Sequence, residues 1–468
     1  MLTMYRHQKT MLEYLTNNRR FLLLAEAGAG KTWPCLLHMT NLLMAGEIED
    51  ALVVAPLSGL EAWHRDAELL SDERQRLFRE RVRLVNYDKL SRKDGRYQRE
   101  CWKPWGALFL DEGHAIANPT SNRTKYFVGA GKKAGLGDMA THVYDITGTL
   151  LNNSRLEDAW APLRLMLGSQ WEYYLWSDFK RHFLVTKTLP GSYADIVVGY
   201  RHRAELLELL GRFSYRVLLK DCLDLPPVLP DEIITVPWKG GKNVEPFHKS
   251  TKELYEDALD SYVEALDMVM DNPLTRRLRI RQVASGHIKE SDTIDDNGRK
   301  VAGEMYHLKN NKIPYLMELI EDNLPNKTVI GYQFRATGAA VVAALKKAGV
   351  NHLVLNGDTK DKSVWRTFQA DDSIKVFVVQ YASGSEAIDL FSASRTILME
   401  PMDSSRTCIQ FRNRTNRNGQ TRPCSYVWLL TEGSIEFDMY ERLKSHRDFD
   451  DSCWKEVAER RRQMRGEK

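Results

Sequence analysis

Two short stretches bring together residue types suited to phosphate chemistry. Glu26-Ala-Gly-Ala-Gly-Lys-Thr32 follows an apolar run and precedes a helical pattern. Gly28 and Gly30 would let backbone N–H groups approach phosphate oxygens, Lys31 would reach the terminal phosphates, and the Thr32 hydroxyl could ligate Mg²⁺. The full Gly-x-x-x-x-Gly-Lys-Thr pattern has glycine where this chain has Ala25, so a plain glycine-rich turn stays open. The second stretch, Leu108-Phe-Leu-Asp-Glu-Gly-His114, delivers two adjacent carboxylates from an apolar run. Side chains alternate along a strand, so Asp111 could hold Mg²⁺ while Glu112 polarises an attacking water. An Asp-Glu pair is common on surfaces; ending a buried strand downstream of a phosphate loop gives this one its weight.

The elements that must position these residues are legible as apolar runs. Phe21–Ala25, Ala51–Ala55, Val82–Val85, Ala107–Leu110 and Val143–Ile146 each read as a buried strand ending in a polar or glycine-containing loop. The second half repeats the grammar with Thr328–Ile330, His352–Leu355, Val376–Val379, Thr396–Met399 and Tyr426–Leu430. Strands alternating with helical patterns predict an α/β fold of two parallel-sheet lobes. Leu156 to Leu223, rich in aromatics and leucine, reads as a helical insertion; Glu253 to Val283 reads as amphipathic helix, and Glu290 to Lys300 as an exposed loop. The expected organisation is an N-terminal lobe over 1–228 with an insertion at about 156–223, a helical insertion and linker over 229–308, and a C-terminal lobe with a basic tail over 309–468.

Composition narrows the class. A chain of 468 residues makes two to four folding units at roughly 100–200 residues each. With 43% hydrophobic and 28% charged residues it is ordinary globular protein, neither disordered nor fibrous. No run approaches the roughly 20 apolar residues that cross a bilayer, and the first residues lack a secretory apolar core, so the expectation is a soluble, intracellular protein with no membrane partner. Six cysteines without a Cys-x-x-Cys pair signal no zinc knuckle or disulfide framework. The net charge of +4 is too small to establish a polyanionic partner. Basic clusters at Arg276–Arg281, Arg412–Arg422 and Arg460–Arg462 read either as solvated helix faces or as a grip on nucleic acid.

On the phosphate loop and the acidic pair, the chain resembles superfamily-two helicase-like ATPases, and closer reading points to the SWI/SNF-type DNA translocases. Ala115-Ile-Ala-Asn-Pro-Thr-Ser-Asn-Arg-Thr-Lys125 is similar to that family's extension after the acidic pair, and Val54–Trp63 to its first DNA-contact motif. Ile146-Thr-Gly-Thr-Leu-Leu-Asn-Asn153, with Thr147, Gly148 and Thr149, resembles the motif coupling phosphate to DNA; Tyr5-Arg-His-Gln8 resembles the adenine-reading motif through Gln8. Gln410–Gln420 is close to the arginine-finger motif, and Arg414 and Arg417, three apart, would share one side of a helical turn. Gly384 to Leu390 resembles the preceding nucleotide-binding motif, with Asp389 where the family usually has Asn. Arg216–Lys220, Leu225-Pro-Pro227 and Arg277–Val283 resemble the segments that bridge the lobes. Leu150 stands in place of the usual proline, Gly113 in place of alanine and Ser385 in place of a second glycine, and none of these removes a catalytic side chain.

The resemblance implies two tandem RecA-like lobes, ATP and Mg²⁺ as cofactors, and a DNA-dependent ATPase that translocates on double-stranded DNA. Lys31, Glu112, Arg414 and Arg417 would be catalytic, with single-stranded DNA or RNA as alternative tracks. Backbone tracking calls for phosphate contacts from Lys, Arg, hydroxyls and loop N–H groups. Ser58, Asn118, Ser121, Arg123 and Lys125 in the first lobe and Asn356, Gly357 and Ser383 in the second are the candidates, each equally readable as an ordinary surface residue. Trp63 reads as core packing, with base stacking the alternative. His114 reads as a bridge from the phosphate site to the coupling motif or as a structural histidine. A strand-separating helicase and a non-hydrolysing nucleic-acid module are the competing classes; the intact Lys31, Asp111, Glu112 and arginines argue against the second. A minimal monomeric engine of bacterial or viral type is expected, cytoplasmic on nucleoid or viral DNA, or nuclear in a eukaryote.

Overall fold

The computed structural model describes residues 4–464 except 27, 92–94, 149, 151–154, 189–194, 223–224, 244–245, 268–272, 291–292, 295–299, 302, 385–387 and 446–450. The chain folds as two compact units, Met1–Asp224 and Leu225–Lys468. None of the described helices is long and apolar enough to cross a membrane.

The first unit is built on a six-stranded sheet. Its strands are β1 (Arg20–Ala25), β2 (Ala51–Ala55), β3 (Val82–Asn86), β4 (Ala107–Asp111), β5 (His142–Ile146) and, after the hairpin β6 (Leu184–Thr188) and β7 (Asp195–Tyr200), β8 (Ser214–Val217). The order β3-β2-β4-β5-β1-β8 is parallel throughout. The strands β2, β4 and β5 are buried along their whole length, as a parallel sheet covered on both faces requires. Because β1 and β4 run the same way with only β5 between them, the loops after both open at one edge, where ligands of open α/β sheets bind.

The second unit repeats the plan. After β9 (Glu232–Val236) come the short pairs β10 (His287–Lys289) with β13 (Met305–His307) and β11 (Thr293–Ile294) with β12 (Lys300–Val301). The sheet strands are then β14 (Thr328–Tyr332), β15 (His352–Leu355), β16 (Val376–Gln380), β17 (Arg395–Leu398) and β18 (Ser425–Thr431), in the order β15-β16-β14-β17-β18-β9, again all parallel. Alternation divides the strand residues between two cores: Val329, Phe377, Val379 and Trp428 pack on one face, and Ile330, Val376, Val378 and Val427 on the other. A buried ion pair ties the helix Lys312–Asn323 to the helix Ile435–Lys444: Lys312 Nζ reaches both oxygens of Glu436 at 2.6 and 2.8 Å and donates to the Met399 carbonyl at 2.7 Å.

These are the two parallel RecA-like lobes expected, with two corrections. Residues 156–223 are not a purely helical projection. The helices Trp160–Leu167, Trp176–Phe183 and Arg203–Arg212 alternate with the antiparallel β6–β7 pair and with β8, the edge strand beside β1. Trp160, Leu163, Phe179, Phe183 and Leu206 join the same core as Leu52 and Leu110, because residues this apolar are buried rather than displayed. Likewise 229–308 folds with the second unit instead of standing apart as a linker: β9 closes its sheet, and Tyr262, Val263 and Ile280 from the helices Thr251–Asp267 and Pro273–Ala284 pack with Ile435 and Met439.

Candidate active site

The loop after β1 is shaped by glycine. Gly28 and Gly30 hold φ of 95° and 67°, conformations that glycine adopts freely. A Cβ on Gly30 would lie 2.5 Å from Gln8 Nε2, so a side chain there would displace the Gln8 amide of the first helix, Arg6–Asn17. That helix holds the loop by its carbonyls: Gln8 Nε2 donates to Gly30 O at 3.1 Å, and His7 Nε2 lies 3.0 Å from Ala29 O. Gln8 Oε1 accepts from Tyr5 N at 3.0 Å, which fixes the amide orientation. Ala25 is the fully buried last residue of β1. The helix Thr32–Met44 begins directly after Lys31, so its unpaired first-turn N–H groups face the loop.

The acidic pair meets the same lysine. Lys31 Nζ lies 2.5 Å from Glu112 Oε1 and 3.5 Å from Asp111 Oδ1. Asp111 ends β4, and Glu112 turns the chain with φ 54° and ψ 49°, a left-handed conformation rare outside glycine and asparagine. Trp63 Nε1 donates to Asp111 Oδ2 at 3.0 Å, and the Tyr87 hydroxyl donates to the Asp111 carbonyl at 2.9 Å. Trp63 is thus the core residue expected, and it also orients the carboxylate. His114 Nδ1 lies 3.3 Å from Glu112 Oε2 and 3.2 Å from Thr147 Oγ1, which places it between the acidic pair and the coupling motif.

Electrostatics sort the two carboxyls. Burial opposes the charge on Glu112, but Lys31 and His114 outweigh it and hold the group well below the ordinary carboxylate range. For Asp111 burial wins over Lys31, and the like charge of Glu112 pushes its carboxyl further up. Burial would lower Lys31, yet Glu112 and Asp111 raise it. Asp111 Oδ1 is buried without a hydrogen-bond partner. An oxygen of that kind beside a hydroxyl residue opening a helix is the donor set a hard divalent cation takes, so Thr32 and Asp111 fit Mg²⁺.

Four of the five first-lobe nucleic-acid candidates, Asn118, Ser121, Arg123 and Lys125, lie on one loop and helix. Asn118 and Lys125 are exposed. Asn118 Oδ1 accepts from Thr120 N and Oγ1 at 3.0 and 2.9 Å, and Ser121 caps the helix Asn122–Val128 by accepting from Thr124 N. Arg123 is committed locally, donating to Asp88 at 2.6 Å and Ser91 Oγ at 3.1 Å. The Ser58 side chain and Thr149 lie outside the described residues; Thr147 is fully buried with Gly148 next to it. In the second unit Asn356 Oδ1 folds its own loop by accepting from the N–H groups of Asp358 and Thr359, Gly357 adjoins it, and Ser383 lies in the short helix Tyr381–Gly384.

The arginine motif departs from expectation in its local structure. The helix Ser405–Arg412 ends before it, so Arg414 and Arg417 sit in successive turns rather than on one helical face. Thr415 Oγ1 donates back to Arg412 O at 3.2 Å and Gln420 Nε2 to Thr415 O at 3.0 Å, contacts that compete with continuing the helix. Arg414 is buried, and its carbonyl accepts from Leu390 N at 2.8 Å. Arg417 is ion-paired with Asp389 and donates to the Ile388 carbonyl at 3.1 Å. Gly384 is a packing glycine: a Cβ there would meet Val379 at 2.7 Å and Phe411 at 2.8 Å. The basic clusters are largely spent on internal pairs, Arg281 with Asp403, Arg412 with Asp231, Arg460 with Asp438 and Arg461 with Asp260.

Sequence reasoning assigned no role to His7, although it lies in the quoted Tyr5–Gln8 stretch, nor to Tyr87 or Asp145. The Asp145 side chain is wholly buried in β5 with neither oxygen hydrogen-bonded, and burial together with Glu112 pushes its carboxyl up to about 7. His182, His202 and Glu205 lie close enough to suggest a metal, but the two imidazoles stack 4.2 Å apart and nearly parallel. Their lone pairs lie in separate planes that one ion cannot share.

The family model described as Helicase conserved C-terminal domain matches residues 311–419. Over 94% of the chain the sequence is 22% identical to Protein CHROMATIN REMODELING 24 of Arabidopsis thaliana, covering 45% of that protein. Over 90% of the chain it is 22% identical to the DNA repair and recombination protein RAD54B of Mus musculus, covering 52% of it. The chain therefore spans about half the length of these relatives. A solved Sulfolobus solfataricus SWI2/SNF2 ATPase core in complex with dsDNA is 19% identical, with 97% of this chain and 93% of that one covered at a TM-score of 0.40, too low to carry an argument.

Proposed function

Because the chain is a superfamily-two helicase-like ATPase of the SNF2 type, we propose that it hydrolyses ATP when bound to DNA and uses the cycle to translocate on the duplex. One observation carries the proposal: Lys31, at the mouth of a glycine loop after β1, is held by Asp111 and Glu112 from the end of β4, two strands away in the sheet. A phosphoryl-transfer site consists of little more than such placed charges.

In this reading the loop N–H groups and the start of the helix Thr32–Met44 cradle the phosphates, and Lys31 shifts from the carboxylates to the terminal phosphate oxygens. Glu112, freed of that pair and still beside His114, orients the attacking water. Gln8 reads the adenine edge. Thr32 and Asp111 would hold Mg²⁺, whose charge offsets that of the phosphates. Arg414 and Arg417 of the second unit are the cations that would neutralise the charge developing on the γ-phosphate. His114 relays the state of Glu112 to Thr147 and the coupling motif. DNA as the track is supported by the names of the relatives, one a chromatin remodeling protein and one a DNA repair and recombination protein. Exposed Asn118 and Lys125 are the first phosphate contacts to test.

The test is ATP turnover measured alone and with duplex DNA, single-stranded DNA and RNA, beside displacement of a triplex strand and of a duplex strand. Duplex-stimulated turnover with triplex displacement and no duplex opening is expected. Opening of the duplex would transfer the function to the strand-separating class, and absence of turnover under every condition would end the proposal.

A further inference from the structure

We infer that Asp145 is a positioning residue for Glu112, acting through the bare backbone of Gly113. The inference rests on the ATPase reading and adds a residue to its machinery.

Asp145 lies on β5, in register with Leu110 of β4, and its side chain is sealed from solvent. Neither carboxyl oxygen has a hydrogen-bond partner, an unfavourable placement for a polar group. What the carboxyl does touch is the turn after β4. A Cβ on Gly113 would fall 1.6 Å from Asp145 Oδ1 and 2.4 Å from its Cγ. A methyl at 113 would force the Asp145 carboxyl to move, so the carboxyl lies directly against that residue.

Gly113 separates the two residues that the chemistry needs in register. Before it stands Glu112, in its left-handed conformation against Lys31; after it stands His114, against Thr147. The Asp145 carboxyl is the floor on which this turn rests, and it sets how far Glu112 projects. The two positions are matched: an acid interrupts the apolar run of β5, and the residue against it in the turn after β4 is glycine. A change of about 1 Å in the seat of a catalytic group is enough to lower turnover about 100-fold while leaving substrate binding intact.

The experiment uses the full chain with Gly113→Ala, Asp145→Ala, the double variant and the isosteric Asp145→Asn. ATP turnover is measured with duplex DNA, ATP affinity with a fluorescent analogue, and the unfolding midpoint by circular dichroism. Gly113→Ala should lower kcat about 100-fold with affinity changed less than about threefold, and Asp145→Ala should lower kcat about tenfold. The double variant, in which the added methyl has room, should recover to within about tenfold of the parent, and Asp145→Asn should stay within about threefold. Near-parental turnover of Gly113→Ala, or a double variant no better than Gly113→Ala, would overturn the inference. Should the parent chain show no turnover, the ATPase reading falls, and the unfolding midpoints alone judge the contact: additive shifts of the two single variants would overturn it as well.

Discussion

Each unit presents a cation suited to ATP phosphates, and each holds it on carboxylates of its own, but the two holdings differ in kind. In the first unit Lys31 rests between Asp111 and Glu112, both of which keep a role once phosphate draws the lysine away. In the second, Arg417 rests on Asp389, at a position where the resembling family usually carries a neutral amide. On the proposed reading the first pair is the nucleotide site before binding, and the second is a restraint, since an anion beside Arg417 would compete with any phosphate for it. The contrast makes release of Arg417 from Asp389 the point of control that the proposed reading calls for.

That contrast is open to attack in order of expected effect. Removing the arginine altogether, Arg417→Ala, should lower DNA-stimulated turnover about 1,000-fold while ATP affinity in the first unit holds; a loss under tenfold would deny Arg417 the role. Glu112→Gln should bind ATP and turn it over about 100-fold more slowly, in keeping with a water-orienting carboxylate. Normal turnover in that variant would remove Glu112 from the chemistry. Asp389→Asn lifts the restraint and should raise turnover without DNA about fivefold, the scale of a half-exposed ion pair; unchanged or lower basal turnover would show that the pair supports the motif rather than checking it.

The smallest effect is on stability. Asp145, facing Glu112, Lys31, Asp111 and Tyr87, has its carboxyl pushed up to about 7 in the folded chain. An unfolded aspartate titrates near about 4, so between these values the folded chain keeps a proton that the unfolded chain has lost. The contribution is fully present below about pH 4 and is lost as pH rises to about 7. Unfolding midpoints of the parent should therefore fall relative to those of Asp145→Asn across that window and run parallel above it. A difference that grows in the parent's favour with rising pH would contradict the assignment.

The sheet strands were legible because parallel strands covered on both faces must be continuously apolar, and ten such runs stand out. The strands that escaped lie where that rule relaxes: β8, Ser-Tyr-Arg-Val, and β9, Glu-Ile-Ile-Thr-Val, are edge strands with a single buried residue each. The hairpin β6–β7 escaped because its neighbours are helical and its pairing is local. In the site, Lys31, Asp111 and Glu112 were legible from type and spacing. Trp63 was read correctly as core, but its bond to Asp111 depends on the packing of the helix Leu57–Ala67 over β4, which no spacing reveals. Asp145 was hidden for the opposite reason: within Val-Tyr-Asp-Ile a single acid reads as the polar end of a strand, and only the fold places it under Gly113.

The strand β9 governs how the molecule can be taken apart. It follows the boundary at Asp224–Leu225 and supplies the outer flank of β18 from Val427 to Thr431. A fragment begun after Val236 would bare that flank, leaving a ladder of unanswered amides ready to recruit a second copy and precipitate. The excised C-terminal half should stay in solution only when β9 travels with it.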